Sequence, residues 1–274
     1  KDVRGFLPEL MEKMYLERKS FKKKMIEAQK ELEDLPNKDM TTLGRAGYTE
    51  KLKKDISKYH NFQLVRKIQL NSAYGAIGNQ YFRYYDVDKA EAITMSGQLS
   101  IRWIADKLNE FLNDRIGTED YDFVVASDTD SVYLRLGKLV DKLCADKSKD
   151  EIVDFLDKAC TKIIEPFIDK SFEELASMMN AYENKMVMGR EVIADKGIWT
   201  AKKRYMLNVH DSEGVRYETP KVKIMGIETT RSSTPEIVRN ELKEVIRLIL
   251  TTDEETIINQ VEKVRSKFFN STPE

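Results

Sequence analysis

Two aspartates one residue apart, Asp128 and Asp130, sit in the stretch DFVVASDTDSVYLRL at residues 122–136. An apolar, β-branched run precedes them at residues 123–126 and an alternating polar–apolar run follows at residues 131–136. The pattern predicts two strands joined by a polar tip at residues 127–130, a β-hairpin. Strands of this composition read as buried, and two carboxylates a few ångströms apart in a poorly solvated place repel unless a cation lies between them. A hard divalent cation with all-oxygen ligation resolves the conflict, which makes Mg²⁺ the expected metal. The competing reading of the same residues is an ordinary Asx turn.

Three further groups carry chemistry. In KIQLNSAYG, residues 67–75, Lys67, Asn71 and Tyr74 fall at i, i+4 and i+7 and share one helical stripe, which His60 and Gln63 extend backwards. A cation, an amide and a phenol on one stripe can hold a phosphate, a sugar and a flat ring; an exposed helix end with one packed tyrosine is the plainer alternative. In ERKSFKKKM, residues 17–25, Arg18, Lys19 and Lys22 gather within one turn, joined by Lys23 and Lys24. In KKRY, residues 202–205, three cations and an aromatic lie in what reads as one strand spanning residues 199–209. Alternation on that strand puts Lys203 and Tyr205 on one face and Lys202 and Arg204 on the other. Such a strand can follow a nucleic-acid backbone, or it can be a solvated edge guarded by lysine.

The elements that must position these groups follow from periodicity. Leu10, Met14, Phe21 and Met25 mark a helix over residues 8–33, residues 34–47 read as a tip, and a second long helix runs over residues 49–74 to a stop at Gly75. The two helices are expected to be antiparallel. A third helix over residues 89–112, with Ile93, Gly97, Ile101, Ile104 and Leu108 inward, supports the carboxylate hairpin. Residues 148–151 form a capping box that opens a helix ending before Pro166, and residues 171–174 form a second box opening a short helix. Residues 185–195 read as a strand, and residues 211–214 as a turn into another at residues 215–217. Ser232, Ser233 and Thr234 start a helix with Pro235 at its first position. Residues 252–255 cap a last helix ending near Phe269. The fold class is α+β.

Bulk properties narrow the function classes. The 274 residues are 41% hydrophobic and 34% charged, enough for a real core, with no apolar run of bilayer-spanning length. The opening residues lack an uninterrupted apolar stretch, so no signal peptide is expected. Two cysteines, Cys144 and Cys160, and two histidines give neither a disulfide framework nor a zinc cluster, as suits a reducing cytosol. Net charge is −1, against a uniformly basic coat for nucleic acid. Residues 1–75 nevertheless hold 17 Lys+Arg against 11 Asp+Glu, and residues 185–235 hold 10 against 6, so two basic segments flank an acidic centre. Two solvated faces would read the same way.

Taken in order, these motifs resemble the polymerase core of family B DNA polymerases, most of all those of T-even-type tailed phages. KIQLNSAYG is similar to the family's fingers motif KxxxNSxYG, SDTDS to its palm motif DTDS, KKRY to its KKxY-type duplex-contacting motif, and ERKSFKKKM to its basic fingers helix. The resemblance runs over nearly the whole chain. It implies fingers of two antiparallel helices at residues 1–80, a palm at residues 81–220 with an antiparallel sheet and packing helices, and the helical beginning of a thumb at residues 221–274. It implies a catalytic group of Asp128, Asp130 and Lys67, with Asp128 and Asp130 as ligands in a two-metal Mg²⁺ site and Glu191 as an auxiliary carboxylate. Arg18, Lys22, Lys67, Asn71 and Tyr74 would bind the incoming dNTP; Lys202, Lys203 and Tyr205 would hold primer-template DNA. Ser127 departs from the Gly usual before DTD, which puts the shape of the turn in doubt.

A larger departure is the want of the family's earlier palm motif, DxxSLYP-like, with its further Asp, and of the amino-terminal exonuclease domain. The expected activity is therefore that of an incomplete DNA-directed DNA polymerase, inactive alone, cut from a longer enzyme or encoded as one piece of a split one. Its expected partners are a polymerase portion bearing the missing Asp and the exonuclease, with a sliding clamp also allowed, in the cytoplasm of an infected bacterium. The alternative is a non-catalytic DNA-binding or replication-partner module that keeps the fold.

Overall fold

The computed structural model describes residues 5–270, so the first four residues of the stretch read for a leader lie outside it. The chain forms two compact units, one up to Arg190 and one from Glu191. Helices combine with two separate antiparallel sheets, an α+β fold.

The first unit opens with α1 (Phe6–Glu33) and α2 (Thr42–Ile77), antiparallel partners about 42 and 54 Å long. Phe21 meets Phe62 edge-on with ring centroids 5.1 Å apart, and Arg66 Nε donates to Glu17 Oε2 at 2.6 Å. A 3₁₀ turn, Leu35–Asn37, closes the tip over a buried Leu35. Glu31 accepts from Lys38 at 2.9 Å and from the Tyr48 hydroxyl at 2.7 Å, and these two bonds hold its carboxyl below the usual range. Helix α2 begins seven residues before the expected start, with Gly44 and Gly47 inside it. Thr41 caps it by accepting from the Gly44 N–H at 3.3 Å, and Arg45 and Tyr48 tie its first turns to the tip. Those bonds offset the roughly 1 kcal/mol that each helical glycine costs. Gly75 does not end the helix either; Gly78 does.

Helix α3 (Val87–Ile116) is capped by Asp86, which accepts from the Lys89 N–H at 3.0 Å, and stops at the left-handed Gly117. Its buried residues are Ala90 in the first turn and, from the middle onward, the stripe Ser100, Ile104, Leu108, Leu112 and Ile116. Ile93 is exposed, and a Cβ at Gly97 would meet nothing within 4 Å, so these two residues of the expected inner side are not packed and Gly97 serves no close approach. Strands β1 (Val124–Asp128) and β2 (Ser131–Leu134) form the hairpin. A helix absent from the sequence reading, α4 (Gly137–Leu143), follows.

Helix α5 (Lys149–Ala159) carries the full capping box of Ser148 and Glu151, then runs through a π-helical turn, Cys160–Ile164, into α6 (Glu165–Met178). The expected break before Pro166 does not occur. The π-turn widens the backbone where the proline ring would collide with the carbonyl one turn back, and the chain stays helical. Ser171 is therefore no cap: it is buried inside α6 and donates to the Phe167 carbonyl at 2.8 Å. Ile104 and Leu108 of α3 pack with Ile164, Ile168, Phe172 and Leu175, and Val124, Val132 and Leu134 of the hairpin lie against this core.

The second unit is a meander of β3 (Val192–Ala201), β4 (Arg204–Ser212) and β5 (Val215–Met225). The strand expected over residues 185–195 begins only at Val192. Glu213 and Gly214 turn β4 into β5, both at positive φ, as the sequence predicts in place if not in strand length. Helix α7 (Glu236–Thr251) lays Ile246 and Leu250 on Met206, Val222 and Ile224. Pro235 precedes its first residue instead of occupying it. Asp253, accepting from the Thr256 N–H at 2.9 Å, caps α8 (Glu254–Phe269).

Candidate metal centre and nucleic-acid interface

The hairpin register pairs Ala126 with Tyr133, Ser127 with Val132 and Asp128 with Ser131, which leaves Thr129 and Asp130 as a two-residue tip. Asp128 closes β1, half-buried; Asp130 stands exposed on the turn. Thr129 takes a positive φ of 39°, and its hydroxyl donates to Asp128 Oδ1 at 3.0 Å. The Ser131 hydroxyl donates to the Asp128 carbonyl at 3.2 Å. The strands are less buried than their composition implied: β1 alternates half-buried with exposed, because only one face meets the helices. The two carboxylates therefore sit at a solvated tip, and repulsion in a dry site no longer argues for a cation. The donor chemistry still does, since oxygen ligands beside accessible water suit Mg²⁺, which dehydrates reluctantly. Among the described residues no group of three or more His, Cys, Asp or Glu side chains gathers there or elsewhere.

Two residues absent from the sequence reading hold this hairpin to α3. Asn109 Oδ1 accepts from the Phe123 and Val124 N–H groups at 2.9 and 3.0 Å, and its Nδ2 donates to Asp122 at 3.1 Å. One turn on, Asn113 Oδ1 accepts from the Tyr121 N–H at 2.9 Å, and Nδ2 donates to the Tyr121 carbonyl at 2.8 Å. Phe123, fully buried, follows directly. The two asparagines thus fix the entry to β1, four residues before Asp128. The available signal was two poor helix formers at i, i+4, each beside a leucine of the buried stripe.

On the helical pair, the contacts of Glu17 with Arg66 and of Phe21 with Phe62 set the level of each basic residue. Arg18 lies opposite residue 65, two residues or about 3 Å of rise from Lys67. Lys22 lies one to two turns further toward the tip. Lys67, Asn71 and Tyr74 are all exposed, Tyr74 at 41%. Arg18 Nε is buried without a hydrogen-bond acceptor.

The KKRY segment is not one strand. Ala201 pairs with Arg204, so Lys202 and Lys203 are the two residues of the β3–β4 turn, both exposed, with Lys203 at φ 63°. Alternation across a strand does not apply to them, and Lys203 shares no strand face with Tyr205. The Arg204 guanidinium pairs with Glu228, and Tyr205 is 8% exposed with its ring stacked on Trp199, centroids 6.2 Å apart. Only the two lysines are presented outward. Glu191 is exposed just before β3, where its carbonyl accepts from the Glu213 N–H. Both cysteines are buried, and burial pushes the Cys160 thiol up to about 11, so it is held as an inert thiol.

No protein-family model matches the chain. It is 39% identical, over 296 aligned residues, to the DNA-directed DNA polymerase of Enterobacteria phage T4, an alignment that takes in 94% of this chain and 33% of that protein. It is 50% identical over 198 residues to the DNA-directed DNA polymerase of Escherichia phage RB69, taking in 69% of this chain and 22% of that protein. The chain is related to a portion of the T-even-type phage DNA polymerases. It spans a third or less of the length of these polymerases. Within this polymerase-related chain the first unit holds Arg18, Lys22, Lys67, Asn71, Tyr74, Asp128 and Asp130, and the second holds Glu191, Lys202, Lys203 and Tyr205. No described helix is long and apolar enough to cross a membrane.

Proposed function

We propose that this chain supplies the fingers, part of the palm and the root of the thumb of a phage DNA polymerase, at residues 1–80, 81–220 and 221–274. The similarity to two DNA-directed DNA polymerases across most of the chain carries this reading. The reaction is transfer of dNMP from a dNTP to a primer 3′-hydroxyl. Arg18, Lys22 and Lys67 bind the triphosphate, and Lys67 is also the group that donates charge or a proton toward the departing pyrophosphate. Asn71 lines the nucleotide pocket and Tyr74 meets the nascent base pair. Lys202 and Lys203 hold phosphates of the duplex, while Tyr205, buried against Trp199, shapes the strand beside them.

Asp128 and Asp130 would hold Mg²⁺, which when bound stabilises charge on the attacking and leaving oxygens. Glu191 is a weaker auxiliary. Two carboxylates are few for two ions, so a further Asp comes from polypeptide outside this chain, with the exonuclease, and the isolated chain does not polymerise. A sliding clamp is a further candidate partner, and the infected host cytoplasm is the working compartment.

Equilibrium binding tests the site without requiring turnover. Mn²⁺ binding, read by electron paramagnetic resonance, is expected to be lost in Asp128→Ala and kept in Lys67→Ala, whereas dNTP affinity falls in Lys67→Ala. Unchanged Mn²⁺ binding in Asp128→Ala overturns the assignment.

A further inference from the structure

The turn that presents Lys202 and Lys203 is built more firmly than an exposed hairpin end requires. Lys203 adopts φ 63°, a left-handed conformation that a lysine takes only at a cost and that a freely chosen turn would give to Gly or Asn. Strain of this kind persists where surrounding structure fixes it. The chain just after β5 packs directly against this turn. Gly226, itself at φ 68°, comes so close beneath the turn that a Cβ there would lie 2.1 Å from the Lys203 carbonyl oxygen and 3.1 Å from its carbon. Two residues on, Glu228 takes the Arg204 guanidinium. On the other strand, the Thr200 hydroxyl donates to the Arg204 carbonyl at 3.3 Å. The turn is thus gripped from its carbonyl side and from its flanking arginine, while both lysine side chains remain exposed.

We infer that Gly226, aided by the Arg204–Glu228 pair, is a positioning residue that sets the direction in which the Lys202–Lys203 turn meets the phosphates of duplex DNA. This rests on the reading of those lysines as duplex-binding groups. Gly226 touches no phosphate. Its work is to leave room for the Lys203 carbonyl, so that both cations reach the backbone together. Arg204 in turn belongs to the support, not to the DNA-facing surface.

The test is the affinity of the 274-residue chain for a short primer-template duplex, measured by fluorescence anisotropy over a series of salt concentrations. Every cation withdrawn from a phosphate lowers the slope of log K against log salt by about 0.9. Lys203→Ala is expected to weaken binding several-fold and lower the slope by about 1. Gly226→Ala is expected to reduce affinity and slope comparably with both lysines still present, and adding Lys203→Ala to it is expected to cost little more. Glu228→Ala, which puts no new atom into the turn, is expected to move both quantities in the same direction by less, and it carries the test if Gly226→Ala does not fold. Wild-type affinity in folded Gly226→Ala, or reduced affinity at an unchanged slope, overturns the positioning role. If the Lys202→Ala, Lys203→Ala double variant binds duplex as the wild type does, the underlying reading fails, and the inference with it; that outcome is separate from failure at Gly226 alone.

Discussion

Two hairpin tips in this chain are built on the same plan and held in opposite ways. Each has two residues in the turn and a positive φ at one of them, Thr129 in the acidic tip and Lys203 in the basic one. The acidic tip is held from its base: Asn109 and Asn113 bind the entry to β1, and hydrophobic residues of both strands lie on the core, yet at the tip itself Asp128 receives only the Thr129 hydroxyl and the neighbouring Ser131. The basic tip is gripped at the turn, by Gly226 and the Arg204–Glu228 pair. On the proposed function, a pair of lysines that only had to meet phosphates would be finished within one unit, and a carboxylate pair that had to share metal ions would need ligands from elsewhere. The difference would then separate a site complete as folded from one awaiting a complement.

The largest effect expected from breaking this contrast is at Asp128. In an enzyme reassembled with the rest of the polymerase, Asp128→Ala should lower primer extension by at least about a thousandfold, as removal of a metal-site group does when transition-state charge stabilisation is lost. Circular dichroism should not change, because the tip carries no packing. Asn109→Ala comes next. It strips acceptors from two N–H groups beside the buried Phe123 and should destabilise the first unit by about 2 kcal/mol in denaturant unfolding, with faster hydrogen exchange at Phe123 and Val124. Asp130→Asn, altering only the tip, should leave that stability unchanged.

A smaller effect separates the basic tip by pH. Hydrogen bonding from its own backbone N–H and then from Arg204 holds the Glu228 carboxyl below its ordinary value. A depressed carboxylate stabilises the fold above its unfolded-state pKa, and that contribution disappears as pH falls through the lower, folded value. Thermal stability of the second unit should therefore drop in acid, and Glu228→Gln should flatten that part of the profile. Smallest of all, Lys202→Ala should reduce duplex affinity a few-fold, with the salt slope lower by about 1 and stability unaffected.

How much of this could be read in advance differs between the two tips for a physical reason. The acidic hairpin announces itself, because an apolar, β-branched run and an alternating one flank turn residues that turns favour. The basic one does not: Lys202 and Lys203 are not residues that turns favour, and the Gly226 that packs against the Lys203 carbonyl lies more than twenty residues away, so KKRY looks like uninterrupted strand. The same distance effect hides Asn109 and Asn113, whose partners lie 8 to 15 residues on. Elsewhere one local signature serves two structures. Residues 148–151 and 171–174 have the same capping-box pattern, but only the first follows a break in the helix; at Ser171 the π-turn has carried the helix past Pro166, and the serine bonds backwards to Phe167. The long helices and their antiparallel pairing were legible from spacing, their ends less so, since Thr41 overrode two glycines.

The central claim, that the acidic tip supplies only part of a metal site, is tested most directly by primer extension with the 274-residue chain alone over a range of Mg²⁺ concentrations. The account predicts no incorporation at any of them, while duplex and dNTP binding persist. Robust Mg²⁺-dependent synthesis by the isolated chain would contradict it.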